Sequence, residues 1–143
     1  MTRARQLQLF AGSDPEPAVG IGPAAHGEEV AALAAGLPAS LRLGTSSWSF
    51  PGWAGLVFDR PAPEALLARE GLAAYARHPL LRAVGLDRTF YAPIGVDAYA
   101  RYAAEVPADF RFLVKAAQAC TFPALREGPA GKGRAGPNPR FLD

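Results

Sequence analysis

The sequence predicts an α/β fold built on parallel strands, and two observations support this prediction. Short apolar runs that suit strands alternate with longer stretches of helical spacing, and this order is typical of parallel strands joined by right-handed helical crossovers. A parallel sheet also needs cover on both faces, and three strands with an incomplete set of helices do not provide it. We therefore expect the 143 residues to form the first part of a larger barrel or doubly wound sheet; a small three-stranded domain is the alternative.

Residues 1–38 are expected to form a flexible N-terminal extension that contains one short helix. Residues 1–26 carry several prolines and glycines without apolar periodicity, which favours a mobile or loosely attached segment. The helix is predicted over residues 28–37, because two glutamates stand in its first turn, where the helix dipole favours them, and a glycine and a proline end it.

The strands and helices that follow alternate regularly. Each predicted strand is a short apolar run, and each predicted helix carries apolar residues on one face. Gly71 interrupts the apolar face of the first long helix. The predicted strands span residues 41–45, 83–86 and 110–116, the predicted helices span 64–77 and 96–105, and the glycine-rich stretch 126–139 is predicted to be a loop.

Composition and charge argue against several classes of protein. A net charge of +2 is too small to indicate attraction to nucleic acid or to a membrane surface. No apolar run reaches the ~18–20 residues of a membrane span, and the N-terminus lacks the apolar region of a signal peptide. The single cysteine, Cys120, excludes an internal disulfide and favours a reducing compartment. We expect a cytoplasmic protein without a nucleic-acid or membrane partner.

The segment GTSSWSFPGW, residues 44–53, is the most informative part of the chain. It follows the first predicted strand and places two tryptophans among small polar residues. An indole ring needs burial and a partner for its N–H group, and loops at strand ends are where sites are built. VGLDRTFYAP (84–93) and FRFLVKAAQACTFP (110–123) repeat the arrangement, since each is a short apolar strand that ends in polar or aromatic residues.

Together these segments resemble the DUF72 family, which is related to YecE. The matching pieces are RLGTSSWSFPGWAGLVF, VGLDRTFYAP, VPADFRFLVKA and TFP, which stand in the family's order between about residues 41 and 123. The resemblance implies a (β/α)8 TIM-type barrel of unassigned biochemical function, with residues 39–143 as the N-terminal part of the barrel domain. A complete barrel takes ~250 residues, so the resemblance also implies a chain truncated after about three strand–helix units.

Strand parity then selects the residues that face the barrel axis. Alternate residues of a barrel strand point inward and outward, and the outward set should be apolar because it meets the helices. The residues assigned to the helix-facing side are Leu41, Leu43, Thr45, Val84, Leu86, Phe110, Phe112 and Val114. Ser46, Asp87 and Lys115 are therefore the inward residues nearest the carboxyl ends, where the active sites of such barrels lie. Gly44 and Gly85 would leave room inside.

Lys115 and Asp87 are the candidate catalytic residues. A lysine shielded from water can serve as a base, a Schiff-base nucleophile or an anion contact. Asp87 could act as a base or accept a hydrogen bond from a sugar-like hydroxyl. The alternative for both residues is a structural ion pair between adjacent strands, and the sequence favours neither interpretation.

Ser46, Trp48, Arg88 and Tyr91 are the candidate ligand-binding residues. Arg88 suits a phosphate or carboxylate through bidentate contact, although such an arginine is often simply solvated. Trp48 could be a stacking wall or a structural plug, and Tyr91 could donate a proton or bind a ligand oxygen. No metal-binding spacing, GxGxxG motif or Walker loop is present, so no metal or cofactor is predicted. The stretch GPAGKGRAG (128–136) lacks the GK[ST] ending and is interpreted as a flexible connection.

Three functional interpretations remain open at this point. The first is a barrel enzyme that acts on a small polar substrate, sugar-like or phosphorylated. The second is a non-catalytic small-ligand-binding barrel that uses its Trp and Tyr residues as a stacking platform. The third is an inactive fragment, whose unpaired strand edges would favour self-association.

Overall fold

The structure is a computed structural model that describes residues 20–126 and 134–142. The helices in these ranges are α1 (Glu28–Gly36), α2 (Glu64–Glu70), α3 (Leu72–Tyr75), α4 (Arg88–Tyr91), α5 (Val96–Ala104) and α6 (Gln118–Thr121), with a 3₁₀ turn at Pro51–Trp53. The strands are β1 (Leu43–Thr45), β2 (Leu81–Leu86), β3 (Arg111–Val114), β4 (Ala124–Arg126) and β5 (Ala135–Pro137). None of the helices in the described ranges is long and apolar enough to cross a membrane.

The centre of the fold is a parallel sheet of three strands in the order β1-β2-β3. Gly44 of β1 pairs with Ala83 of β2, and Val84 of β2 pairs with Phe112 of β3. Helices connect these strands in chain order, which confirms the predicted α/β class. Over the described ranges the sheet is open and does not close into a barrel, so the finer prediction of a partial TIM-type barrel stays a prediction.

One face of the sheet carries the hydrophobic core. Val84 and Leu86, on alternate positions of β2, are 1% and 2% exposed, and they belong to the same buried cluster as Leu67 of α2 and Tyr102 of α5. Val114, which the alternation also assigns to this face, is 46% exposed, so the cover becomes thinner toward the end of β3.

Tyr75, the last residue of α3, fastens β1 to β2 from within the core. Its ring is fully buried, while its hydroxyl accepts a hydrogen bond from the Thr45 N–H at 3.1 Å and donates one to the Ala83 carbonyl at 3.0 Å. Burial raises the pKa of Tyr75, and its hydrogen bonds with Thr45 partly offset that rise. Because Thr45 is held on the helix-covered side, the next residue, Ser46, continues on the opposite face.

The segment 20–26 is bonded to the turn that follows β1. The Ala24 N–H donates to the Val57 carbonyl at 2.9 Å, and the Asp59 N–H donates to the Gly22 carbonyl at 3.0 Å. Ile21 is buried as well. The prediction of a loosely attached segment is therefore corrected for residues 20–26, while its larger part, residues 1–19, lies outside the described residues.

The remaining differences between prediction and structure lie at loops. Gly71 divides the predicted helix 64–77 into α2 and α3, and the first strand begins at Leu43 instead of residue 41. Residues 135–137, predicted as loop, form β5 and pair antiparallel with β4. The buried Asn138 holds this hairpin, because its side-chain amide donates to the carbonyls of Ala119 and Phe122, both at 2.7 Å. Residues 128–133 of the glycine-rich stretch lie outside the described residues.

Candidate functional site

The carboxyl edge of the sheet brings together the three residues that follow its strands. Ser46 follows β1, Asp87 follows β2 and Lys115 follows β3. The Lys115 Nζ lies 3.9 Å from Asp87 Oδ1. Ser46 and Asp87 both line an open cleft of about 360 Å³ on the face of the sheet opposite the core, together with Leu113 of β3. Two strands thus contribute opposite charges to one edge, and the third contributes a hydroxyl.

Two glycines allow this edge to form, although not by leaving an empty interior. A Cβ atom on Gly85 would lie 3.1 Å from both the Cα and the carbonyl oxygen of Ser46. A Cβ atom on Gly44 would collide with the Ala83 carbonyl. The absence of these atoms lets β1 and the residue after it approach β2 closely, which places Ser46 next to the end of β2. The expectation that the glycines leave room inside is therefore replaced by close backbone approach.

Lys115 stands between a carboxylate and an aromatic ring. Its Nζ is 5.2 Å from the centre of the Phe90 ring, within the range of a cation–π contact. The side chains of Lys115 and Asp87 are 53% and 57% exposed, so the shielding from water that a Schiff-base or general-base lysine needs is absent. The ammonium group is held in place but accessible, which suits a contact to an anion in solution.

Thr89 is a positioning residue that the sequence reasoning missed. It is 3% exposed, and its hydroxyl lies 2.6 Å from both the Leu86 carbonyl and the Lys115 carbonyl. This hydroxyl joins the carboxyl ends of β2 and β3 and fixes the backbone of Lys115. The sequence does contain a signal for it: a small hydroxyl residue stands shortly after the end of β2, in the segment VGLDRTFYAP. At such a position the side chain bonds readily to nearby backbone groups.

The serine loop after β1, residues 46–49, is ordered by its own hydroxyls. The Ser49 N–H donates to Ser47 Oγ at 3.1 Å, and the two serine hydroxyls lie 3.0 Å apart. Thr45 Oγ1 donates to the Ser47 carbonyl at 2.6 Å. The Ser46 hydroxyl has no hydrogen-bond partner among the described residues, so it is available to a ligand.

Trp48 and Arg88 form the wall between the edge and the helices. Trp48 is 6% exposed, and its indole N–H donates to the Ala68 carbonyl of α2 at 3.3 Å. Arg88 Nη1 donates to the Tyr102 hydroxyl of α5 at 2.8 Å. Both residues line a cleft of about 200 Å³ together with Ser46 and Asp87. Trp48 therefore has a structural role in the core and also borders the candidate site.

Tyr91, Trp53 and Cys120 have different surroundings, and Trp53 lines a further cleft together with Ser46. Tyr91, on α4, is 74% exposed and is not among the residues that line the two clefts described above. Trp53 packs its ring against Phe50 and Tyr75 at centroid distances of 5.5 and 6.1 Å. Cys120 is exposed, because α6 places no residue in the core.

The two histidines of the chain meet outside the carboxyl edge. The rings of His26 and His78 pack edge to face with centroids 4.3 Å apart, near the start of β2. Burial lowers the pKa of His78, and the neighbouring His26 lowers it further. Among residues 20–126 and 134–142, no group of three or more His, Cys, Asp or Glu side chains is arranged to hold a metal ion.

Comparison with known proteins gives one result. The family model described as "Protein of unknown function DUF72" matches residues 42–134. The matched range includes the three-stranded sheet and each of Ser46, Asp87 and Lys115. No curated protein and no solved structure matches the chain.

Proposed function

The chain belongs to the DUF72 family, and we propose that it binds a small hydroxylated anion, such as a phosphorylated sugar, at the carboxyl edge of its sheet. The observation that carries the proposal is the approach of Asp87 to Lys115 at 3.9 Å, beside the Ser46 hydroxyl, which has no partner within residues 20–126 and 134–142. In α/β sheets, ligands bind outside the carboxyl ends of the strands.

The chemistry of the three side chains suits such a ligand. The Lys115 ammonium group offers three donors to a phosphate or carboxylate, and the Asp87 carboxylate accepts hydrogen bonds from sugar hydroxyls. Ser46 can donate or accept. The buried Thr89 supports the arrangement, because its contact with the Lys115 carbonyl fixes the backbone from which the lysine extends.

Exposure favours this interpretation over a structural ion pair. A structural pair would be needed where two charges are buried and must satisfy each other. Both side chains here are more than half exposed, and an exposed pair contributes only ~0–1 kcal/mol to stability. Stability alone therefore gives little reason for the two charges to face each other.

Catalysis at this site is the second stage of the proposal. Asp87 would accept a proton from a ligand hydroxyl, and Lys115 would stabilise the negative charge that develops on the ligand. A non-catalytic binding protein would use the same two contacts without a proton transfer. Asp87→Asn separates the two, because it keeps a hydrogen-bonding side chain but removes the base, so an enzyme would lose turnover by more than it loses affinity.

The proposal is tested by thermal shift with glucose 6-phosphate, glucose and inorganic phosphate. We expect glucose 6-phosphate to stabilise the protein most, and Lys115→Met to weaken its apparent affinity about tenfold, as loss of one charged contact would. Arg77→Met is the matched control, since it removes one exposed positive charge near the opposite end of the sheet. A response to none of the probes, or an equal loss in both variants, would refute the proposal.

A further inference from the structure

A second cleft, of about 360 Å³, lies between α2 and α5 on the helix-covered side of the molecule. It shares the wall formed by Trp48 and Arg88 with the cleft of about 200 Å³ that Ser46 and Asp87 line. Arg69 stands on its α2 wall, Arg101 on its α5 wall, and Arg88 enters from the end of β2. Trp48 and Tyr102 supply aromatic surface between them. Arg88 and Trp48 are ligand-binding candidates in the sequence as well, whereas Arg69, Arg101 and Tyr102 are not.

More cationic than anionic side chains line the cleft. Three arginines and one acid, Glu105, line it. Within the part of the chain that the structure describes, neither Arg88 nor Arg101 lies within 4.0 Å of a carboxylate. Arg69 forms an ion pair with its neighbour Glu70, at 2.8 Å with both side chains exposed, and such surface pairs exchange easily for another anion.

Tyr102 holds two of the guanidinium groups in place. Its hydroxyl accepts a hydrogen bond from Arg88 Nη1 at 2.8 Å, and the guanidinium carbons of Arg88 and Arg101 lie 6.0 and 5.6 Å from the centre of its ring. The ring is 5% exposed and packs against the buried Trp48 at 5.3 Å. One buried ring thus contacts both guanidinium groups, and four of the five N–H donors of Arg88 remain free of the hydrogen bond to Tyr102.

We propose that this cleft is a second binding site, which takes a phosphate-bearing small anion independently of the ligand at the sheet edge. Arg69, Arg88 and Arg101 all line this cleft, so a multiply charged anion can contact more than one guanidinium group there. Arginine donors also match the oxygens of a phosphate in bidentate geometry. The volume exceeds that of one phosphate group, so inorganic pyrophosphate is a suitable probe.

The test is calorimetric titration of the full chain with pyrophosphate at low ionic strength, where exposed charges are least screened. We expect Arg101→Gln and Arg69→Gln each to raise the dissociation constant about tenfold. Arg77→Gln is the matched control, because it removes an exposed arginine that does not line the cleft, and it should leave the constant within about twofold of the wild type. Arg101 is exposed, so its replacement should not disturb folding, which circular dichroism would verify.

Three results would overturn the proposal. The first is no pyrophosphate binding by the wild-type protein. The second is an equal loss in Arg77→Gln, which would indicate diffuse surface charge. The third is a loss in Lys115→Met with none in Arg101→Gln, which would place the anion at the sheet edge; retained glucose 6-phosphate binding in Arg101→Gln would keep the two sites distinct.

Discussion

The two ends of strands β2 and β3 carry ion pairs of similar exposure and different construction. At the amino end, Arg82 forms a direct, hydrogen-bonded ion pair with Asp109, and the Arg42 Nε donates to the Asp109 carbonyl at 3.2 Å. At the carboxyl end, Lys115 and Asp87 stand 3.9 Å apart with no hydrogen bond between them. At the amino end a hydrogen bond joins the two charged side chains, while at the carboxyl end the two charges stand apart beside a cleft.

The difference indicates that the two ends of β2 and β3 have different roles. The hydrogen bond from Arg82 and its charge lower the pKa of Asp109, which shows that the folded state favours the charged carboxylate there. At the carboxyl end no such hydrogen bond joins Asp87 and Lys115, although Thr89 holds the backbone there. A rigid backbone beneath unsatisfied side chains is the arrangement that ligand binding requires.

Tyr75→Phe should have the largest effect on stability. The variant keeps the ring but removes the hydroxyl that is hydrogen-bonded to the Thr45 N–H and the Ala83 carbonyl. A buried backbone group left without a partner lowers the free energy of unfolding by about 1–3 kcal/mol. Urea denaturation would measure the free energy of unfolding, with the exposed Tyr91→Phe as control. An unchanged free energy in Tyr75→Phe would mean that β1 is not held through this hydroxyl.

Thr89→Val should lower stability by about 1 kcal/mol and also weaken ligand binding at the carboxyl end. The shape of the side chain is kept, but the contact with the Lys115 carbonyl is lost. Thr121→Val, which removes an exposed hydroxyl bonded within its own helix, is the control for both measurements. If binding in Thr89→Val equals that of the wild type, Thr89 supports the fold without positioning Lys115.

Asp109→Asn and Asp87→Asn should differ in thermal stability and in its dependence on pH. The folded pKa of Asp109 is lowered, so its contribution is complete above its unfolded pKa of about 3.9 and is lost as the pH falls through the lower folded value. At neutral pH we therefore expect Asp109→Asn to lower the melting temperature and Asp87→Asn to leave it nearly unchanged. Equal decreases in melting temperature in the two variants would show that the two ion pairs do not differ in their contribution to stability.

The smallest effect expected is a pH dependence from His78. Its pKa is lowered in the folded state, so the unfolded chain binds the proton more readily, and stability declines as the pH falls below the unfolded value of about 6.5. His78→Asn should reduce the change in melting temperature between about pH 7.5 and 5.5, a range that brackets the unfolded pKa. Asparagine can still accept a hydrogen bond from the Leu80 N–H, so this local contact is kept. An unaltered slope would exclude His78 as its source.

The sequence predicts those parts of the molecule that depend on local pattern. The alternation of Val84 and Leu86 with Gly85 and Asp87 is local, so the second strand and its buried face could be predicted. The contact of Thr89 with Lys115 spans 26 positions, and that of Tyr75 with Thr45 spans 30, so no short pattern reveals either one.

The same distinction between local pattern and long-range contact explains why the sequence did not predict β5 or the cleft lined by Arg69, Arg88 and Arg101. The strand β5 has the sequence Ala-Gly-Pro, which carries no strand pattern and forms through its pairing with β4 and the amide of Asn138. Arg69 and Arg101 stand on two helices that pack on the sheet at separate places in the chain, and only the fold brings them to one cleft.

The most direct test compares the two ion pairs as binding sites. Glucose 6-phosphate would be titrated by calorimetry into Lys115→Met and Arg82→Met, each of which removes one cation from an exposed pair at one end of the same strands. We expect an affinity about tenfold weaker for Lys115→Met and an affinity equal to that of the wild type for Arg82→Met. Equal affinities in the two variants, or a loss confined to Arg82→Met, would contradict it.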